Sequence, residues 1–456
     1  MMGNPQTTPS NAEDLTAQDM RALFAIFLGV MLSALDVALI NTALPAVARE
    51  LNIAPALSIW IVNAYQLAVV ASLLPFAALG DRIGPKKVFL GGVVIYTLAS
   101  LGCVLAGSLP QLAFARALQG IGSAGVMSVN IALVRLIYPP NRLGRGVGLN
   151  ALVVGLGSSL GPTVASAVLS MGNWPWLFAL NLPLGVLALV MGLRYIPKAM
   201  GQGHPVDTVT AGLSAVTFAA LIFAMTSAAQ RTGWPTVVSA LALALVAGYL
   251  LLRRQSGHPA PMLPVDLFKR PLFALSAMTS ACSFTVQGIA FVSLPFYLQT
   301  VLHRSAVETG LLITPWAVVV ALAAPFAGRL SDKHAPGLLG GVGLAVLCLG
   351  MVSMAMLTPQ ASTLDIVARM MICGAGFGFF QSPNLKALMS AAPPERSSGA
   401  SGIIALARLT GQTTGAALVA LCFGLGAERG PLWALGLGAG FAAVASVASF
   451  ARLRFK

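Results

Sequence analysis

Uncharged apolar stretches of roughly 17–25 residues recur from one end of this chain to the other. Each is the length a helix needs to cross the hydrocarbon of a bilayer, and few folds can absorb so many. Only 9% of the residues are charged and 57% are hydrophobic, whereas a soluble domain carries about 25% charged residues. A soluble enzyme, a disordered chain and a coiled coil are therefore excluded. The 47 Gly and 28 Pro fit the same reading, because neighbouring helices in a membrane re-satisfy the backbone groups these residues free. The expected class is an all-α polytopic membrane protein.

Apolar runs set against charged breaks predict fourteen spans, at about 22–47, 57–79, 88–107, 111–137, 147–170, 177–196, 208–228, 236–252, 272–300, 309–328, 337–357, 364–389, 399–425 and 432–450. The connectors are short, so successive spans run antiparallel. None could hold a soluble catalytic domain, which argues against an enzyme. The first 20 residues are polar, so no cleavable signal peptide is expected.

Charge placement sets the orientation. With the N-terminus in the cytoplasm, 20 of the 27 Lys and Arg fall on the cytoplasmic side. Arg49, Arg231, Arg304 and Arg429 fall outside, and Arg116, Arg369 and Arg408 lie within spans. The positive-inside rule then places both termini in the cytoplasm. The net charge of +14 is thus a topology signal, with no nucleic-acid partner expected.

The chain also repeats itself. Leu44-Pro45 answers Leu294-Pro295 at an offset of 250, and Leu79-Gly80-Asp81-Arg82 answers Leu330-Ser331-Asp332-Lys333 at 251. Arg116 answers Arg369 at 253, and the Gly157 to Gly161 stretch answers Gly411 to Gly415 at 254. The predicted organisation is a tail (1–21), a six-helix bundle (22–196), a linker with two additional spans (197–255), a cytoplasmic loop (256–271), a second six-helix bundle (272–450) and a tail (451–456). Two parallel halves with a site between them is the layout of an alternating-access transporter.

Of the 13 acidic residues, only Asp36 sits in the middle of a span. An ionised carboxylate there costs at least about 2.5–3.5 kcal/mol on insertion scales. It must be paired, protonated or facing water, and reversible protonation is what a proton-coupled pump requires. The alternative is a structural carboxylate bonded to a neighbouring helix. Arg116, about 8 Å deep in the fourth span, is within reach as its partner, unless it snorkels to the interface. Arg369 and Arg408 carry the same ambiguity more strongly.

The turn holding Asp81, Arg82, Gly84 and Lys86 reads as a charge latch. Asp81 at a helix C-terminus needs a cation, which Arg82 or Lys86 can supply, and Gly84 permits the tight reversal. Gly157 and Gly161 allow close helix approach, and Pro162 a kink. Trp60, Tyr65, Trp174, Trp176 and Trp234 read first as an aromatic belt. Asn41, Tyr65, Gln66, Asn130, Gln287 and Gln381 are the cavity-lining candidates; Asn181 and Asn384 are further intramembrane amides. The five Cys lie in apolar runs and the four His in loops, so neither a disulfide framework nor a metal site is supported. No phosphate-binding loop is present, so no nucleotide is expected to drive this chain.

These residues resemble the major facilitator superfamily, and within it the fourteen-span drug:proton antiporters. Asp81-Arg82-Ile83-Gly84 with Lys86 is similar to the superfamily's loop motif, and Arg116 with Gln119, Gly120 and Gly122 to its fourth-span motif. Gly157xxxGly161-Pro162 is similar to the fifth-span antiporter motif. Leu35-Asp36 through Asn41 to Leu44-Pro45 resembles the first-span motif of the fourteen-span group, and Trp174 through Asn181 to Gly185 that group's sixth span. The chain departs at Ala77 and Pro85 in the loop motif and at Ala165-Ser166 after Pro162. The resemblance implies two six-helix bundles plus two extra spans, and proton-driven export of lipophilic, cationic drugs through Asp36 and Arg116. It also implies the bacterial inner membrane as location, and a monomer that needs no cofactor beyond the proton gradient. Uptake of a small metabolite by symport is the alternative, and a non-transporting membrane enzyme or sensor a more distant one.

Overall fold

The computed structural model describes residues 15–138, 143–198, 208–229, 233–255, 265–391, 397–426 and 429–455. Expectations for the first 14 residues, for 256–264 of the central loop, and for Arg142, Arg231 and Arg396 lie outside these. The described chain is helical. The first half comprises α1 (Ala17–Glu50), α2 (Pro55–Ser58), α3 (Trp60–Ile83), α4 (Pro85–Val104), α5 (Leu109–Ile137), α6 (Leu143–Met171), α7 (Pro175–Ala179) and α8 (Asn181–Tyr195). Then come α9 (Thr208–Ala229) and α10 (Trp234–Gln255). The second half is α11 (Pro271–Phe296), α12 (Ala306–Leu330), α13 (Pro336–Ala355), α14 (Thr363–Ala391), α15 (Ser397–Leu425) and α16 (Gly430–Ala451).

Among the described residues, 13 helical segments are long and apolar enough to cross a membrane, with α2–α3 and α7–α8 each counting as one. The expected seventh span is a helix too, but its apolar part is shorter, Val209–Ala224. Helix ends follow local chemistry. Thr16 and Ser305 cap α1 and α12 with reciprocal bonds to Asp19 and Glu308. Gly84, at φ +100°, turns α3 into α4, a backbone conformation that costs glycine nothing.

Helices α1–α8 pack as one bundle and α11–α16 as another, while α9 and α10 pair with each other and α9 leans on α3 and α15. The end of the molecule that carries α1's start and Gly84 is the basic end. At the other, charge-poor end a single apolar core runs through both bundles, from Leu44 and Val47 of α1 to Leu294 and Leu298 of the second half. At the basic end the cores separate, one around Ile26, Phe89 and Leu133 and another around Phe273, Leu388 and Ile403.

Hydrogen bonds repeat this asymmetry. At the charge-poor end the Gln299 amide donates to Thr42 O at 3.2 Å, Ser166 Oγ donates to Ala306 O at 3.2 Å, and Thr163 and Thr314 share a bond of 2.8 Å. The bundles meet so closely there that a methyl group on Gly310 would lie 2.3 Å from Pro162 O. At the basic end, the bonds of Lys86, Arg270 and Lys386 each stay within one bundle. Among the described residues, a shared core and side-chain bonds join the halves at the charge-poor end, while the basic end holds separate cores.

Candidate functional site

Asp36 and Arg116 meet. Asp36, 19 residues along α1, is 1% exposed and Arg116 of α5 is fully buried. Arg116 NH1 donates to Asp36 Oδ2 in a close ion pair and to Gln119 Oε1 at 2.6 Å. The Arg116 Nε donates to Ile61 O of α3 at 3.1 Å. The other carboxylate oxygen, Oδ1, accepts from Gln119 Nε2 at 3.1 Å and from Asn181 Nδ2 of α8 at 3.2 Å. Gln119 also donates to Ser100 Oγ of α4 at 2.9 Å. Side chains of α5 and α8 thus bond the α1 carboxylate, and α3 and α4 in turn bond Arg116 and Gln119.

The local sequence explains the convergence. Arg116 and Gln119 are three residues apart on a helix and so share a face. Glycines of the same helix let its neighbours approach: a methyl on Gly120 would sit 2.3 Å from Tyr65 O, and one on Gly122 would sit 2.4 Å from Tyr96 N. The guanidinium carbon lies 4.3 Å from the centre of the Tyr65 ring and 5.6 Å from that of Phe178, so its faces are in aromatic contact. Arg116 NH2 has no hydrogen-bond acceptor among the described residues.

Three N–H donors on two acceptor oxygens make a cradle for the ionised acid. A proton placed on Oδ2 turns an acceptor into a donor facing Arg116, and the ion pair cannot survive that change. Arg116 would be left charged and buried, a state that costs several kcal/mol unless something moves. A proton at this one atom would break the tie between α1 and α5.

The remaining expected residues divide. Gly157 and Gly161 lie against α1, where methyl groups would come 3.1 Å from Met31 O and 2.1 Å from Ala38 Cβ; Pro162 lies on the α12 side, against Gly310. Both glycines make the close helix approach their spacing implies. Asp81 and Arg82 are exposed. The Lys86 ammonium donates to Leu193 O at 3.0 Å and Ile196 O at 2.5 Å, at the last turn of α8, where a cation offsets the helix dipole. In the second half it is Lys386 that holds Asp332, at 2.6 Å.

Tyr65 and Trp174 correct the aromatic belt: both are buried, Tyr65 donating to Ser123 Oγ at 2.8 Å and Trp174 packed edge-on against Phe178. Trp176 and Trp234 are exposed, as a belt requires. Gln66 accepts from Thr413 Oγ1 across the bundles at 2.7 Å, and Gln287 accepts from Gln412 at 3.0 Å. Asn41 and Asn130 are buried with side-chain oxygens unpartnered among the described residues, and Gln381 is half-buried. Gln119 was missed as a ligand of Asp36, although its spacing from Arg116 was the available signal. The described cysteines are all free.

The Major Facilitator Superfamily profile matches residues 26–416. The chain is 46% identical over 434 residues to the uncharacterized transporter YebQ of Escherichia coli, covering 95% of each. It is 29% identical over 375 residues to the riboflavin transporter RibZ of Clostridioides difficile, covering 82% of this chain and 81% of that one. It is 30% identical over 405 residues to the multidrug resistance protein Stp of Mycobacterium tuberculosis, covering 87% and 74%. Its fold matches that of a bacterial homologue of the lysosomal transporter Spinster, inward-facing and unoccupied, with a TM-score of 0.70 at 16% identity over 97% and 98% of the two chains. A multi-pass helical chain built as two bundles, with a sequence match over most of its length, belongs to the major facilitator superfamily and is a membrane transporter.

Proposed function

We propose that this transporter exports small lipophilic molecules in exchange for protons, by alternating access, with Asp36 as the proton carrier and Arg116 as its switchable partner. One observation carries the reading: the single midspan acid is buried in a cradle built for its ionised form, and protonation breaks that cradle. The 20-to-4 charge split supports placing the basic end in the cytoplasm of a bacterial cell. The end with separate cores then faces the interior, where cargo would load, and the end with the shared core faces outward. Protonation of Asp36 after reorientation would release the α1–α5 tie and allow return. The close α1–α6 contact at Gly157 and Gly161 and the name of Stp support export.

The test uses inverted membrane vesicles, energised acid inside, with rhodamine 123 and carboxyfluorescein as cargo. The wild type is expected to accumulate at least one dye as the gradient forms. Asp36→Asn is expected to reach the membrane in equal amount and accumulate neither. Full accumulation by Asp36→Asn would overturn the assignment, and dye loss on energising would indicate uptake.

A further inference from the structure

Of the three intramembrane arginines, Arg116 is held by Asp36 and Arg369 by Asp365. Arg408 is different. It lies about 17 Å from the start of α15 and about 25 Å from its end at 1.5 Å per residue. It makes no hydrogen bond or ion pair among the described residues. A guanidinium at that depth is retained only with a partner or a water-filled path.

The faces of α15 show where it points. Gly411 and Gly415 press on α11, where methyl groups would come 2.6 Å from Ala281 O and 2.5 Å from Thr285 O. Leu409 joins the cluster of Tyr65 and Val69 on α3, and Thr413 bonds Gln66. At 3.6 residues per turn, Arg408 and Gln412 project into the sector between those two faces. That sector is the seam between the bundles. Gln412 there donates to Gln287 at 3.0 Å, and Arg408, half-buried, is within electrostatic reach of the Tyr65 phenol.

We propose that Arg408 is the binding residue for an anionic group on the transported molecule, a carboxylate or comparable acid. Asp36 and Arg116 form a neutral pair, so Arg408 leaves one surplus positive charge at midspan among the described residues. A cationic cargo would meet that charge uncompensated, and an anionic one cancels it. The guanidinium fork suits a carboxylate bidentately, and the paired amides of Gln287 and Gln412 offer neutral polar contacts beside it. The inference rests on the seam being the transport path. It replaces the cationic cargo that the family resemblance implies.

Carboxyfluorescein and rhodamine 123 share a ring scaffold and differ in charge, so their binding to the purified full-length protein, read by fluorescence anisotropy, tests the proposal. The wild type is expected to bind carboxyfluorescein more tightly than rhodamine 123. Arg408→Gln should weaken carboxyfluorescein binding by at least ~30-fold while leaving rhodamine 123 bound as tightly or more tightly. Arg408→Lys, which keeps the charge and loses the fork, should fall between and guards against misfolding of the Gln variant. Binding to the purified protein needs no proton gradient, so failure of the charge assignment is read from anisotropy and failure of the coupling from vesicle accumulation. A wild type that prefers rhodamine 123 or binds neither dye, or an Arg408→Gln protein with unchanged affinity, would overturn the proposal.

Discussion

The two halves repeat each other at an offset of 250–254 residues, yet among the described residues only the first carries a buried ion pair at midspan. The position matching Asp36 at an offset of 250 is Val286, fully buried in α11. The position matching Gln119 at 253 is Ile372, 42% exposed. Arg369, the counterpart of Arg116, bonds Asp365 four residues earlier on its own helix, and both side chains are partly exposed. One half uses its arginine to tie α5 to an acid on α1 and to α3, and the other pairs it within its own helix and with Ser353 O of α13. The same scaffold therefore holds a buried ion pair between helices in one half and a partly exposed pair along one helix in the other.

That comparison can be broken from either half. The largest effect is expected from removing the carboxylate: Asp36→Asn should abolish proton-driven transport, whereas Asp365→Asn should leave the rate within about twofold, since partly exposed pairs contribute about 0–1 kcal/mol. Proteoliposome flux under an imposed pH gradient checks both. Next, Arg116→Gln leaves Asp36 buried without its cation and should destabilise the detergent-solubilised protein by about 3–5 kcal/mol. The double variant Asp36→Asn with Arg116→Gln should recover most of that loss in thermal melting.

Val286→Asp would place an unmatched acid where the second half has none. It is expected to cost about 2.5–3.5 kcal/mol or more and to confer no coupling, read as lowered melting temperature and unchanged pH dependence of flux. Asn181→Ala removes one of the donors to Oδ1 and should cost about 1–3 kcal/mol while weakening transport less than Asp36→Asn does. The smallest effect belongs to Arg369→Gln, at about 0–1 kcal/mol of stability with flux retained.

Much of this was legible beforehand, and for physical reasons. A carboxylate amid apolar residues is so costly that Asp36 announces itself, and Arg116 was the cation within reach. Span positions follow from hydropathy and length. What could not be read was direction: nothing in the sequence says that Lys86 turns toward the carbonyls of α8 rather than toward Asp81, because both are hydrogen-bond partners for an ammonium. Tyr65 and Trp174 misled because an aromatic ring near a span end suits an interface and a bundle interior equally. Gln119 stood in the fourth-span motif three residues from Arg116, and the crossing of α1 and α5 shows that it bonds Asp36.

The central claim is that Asp36 itself takes up and releases the proton. Infrared difference spectroscopy of the reconstituted protein across an acid titration reads this directly, through the C=O stretch that a protonated carboxylic acid shows and a carboxylate does not. The account predicts a band in the wild type that grows on acidification and is missing from Asp36→Asn, while the bands of the exposed acids remain. A difference spectrum identical in the two proteins would contradict it.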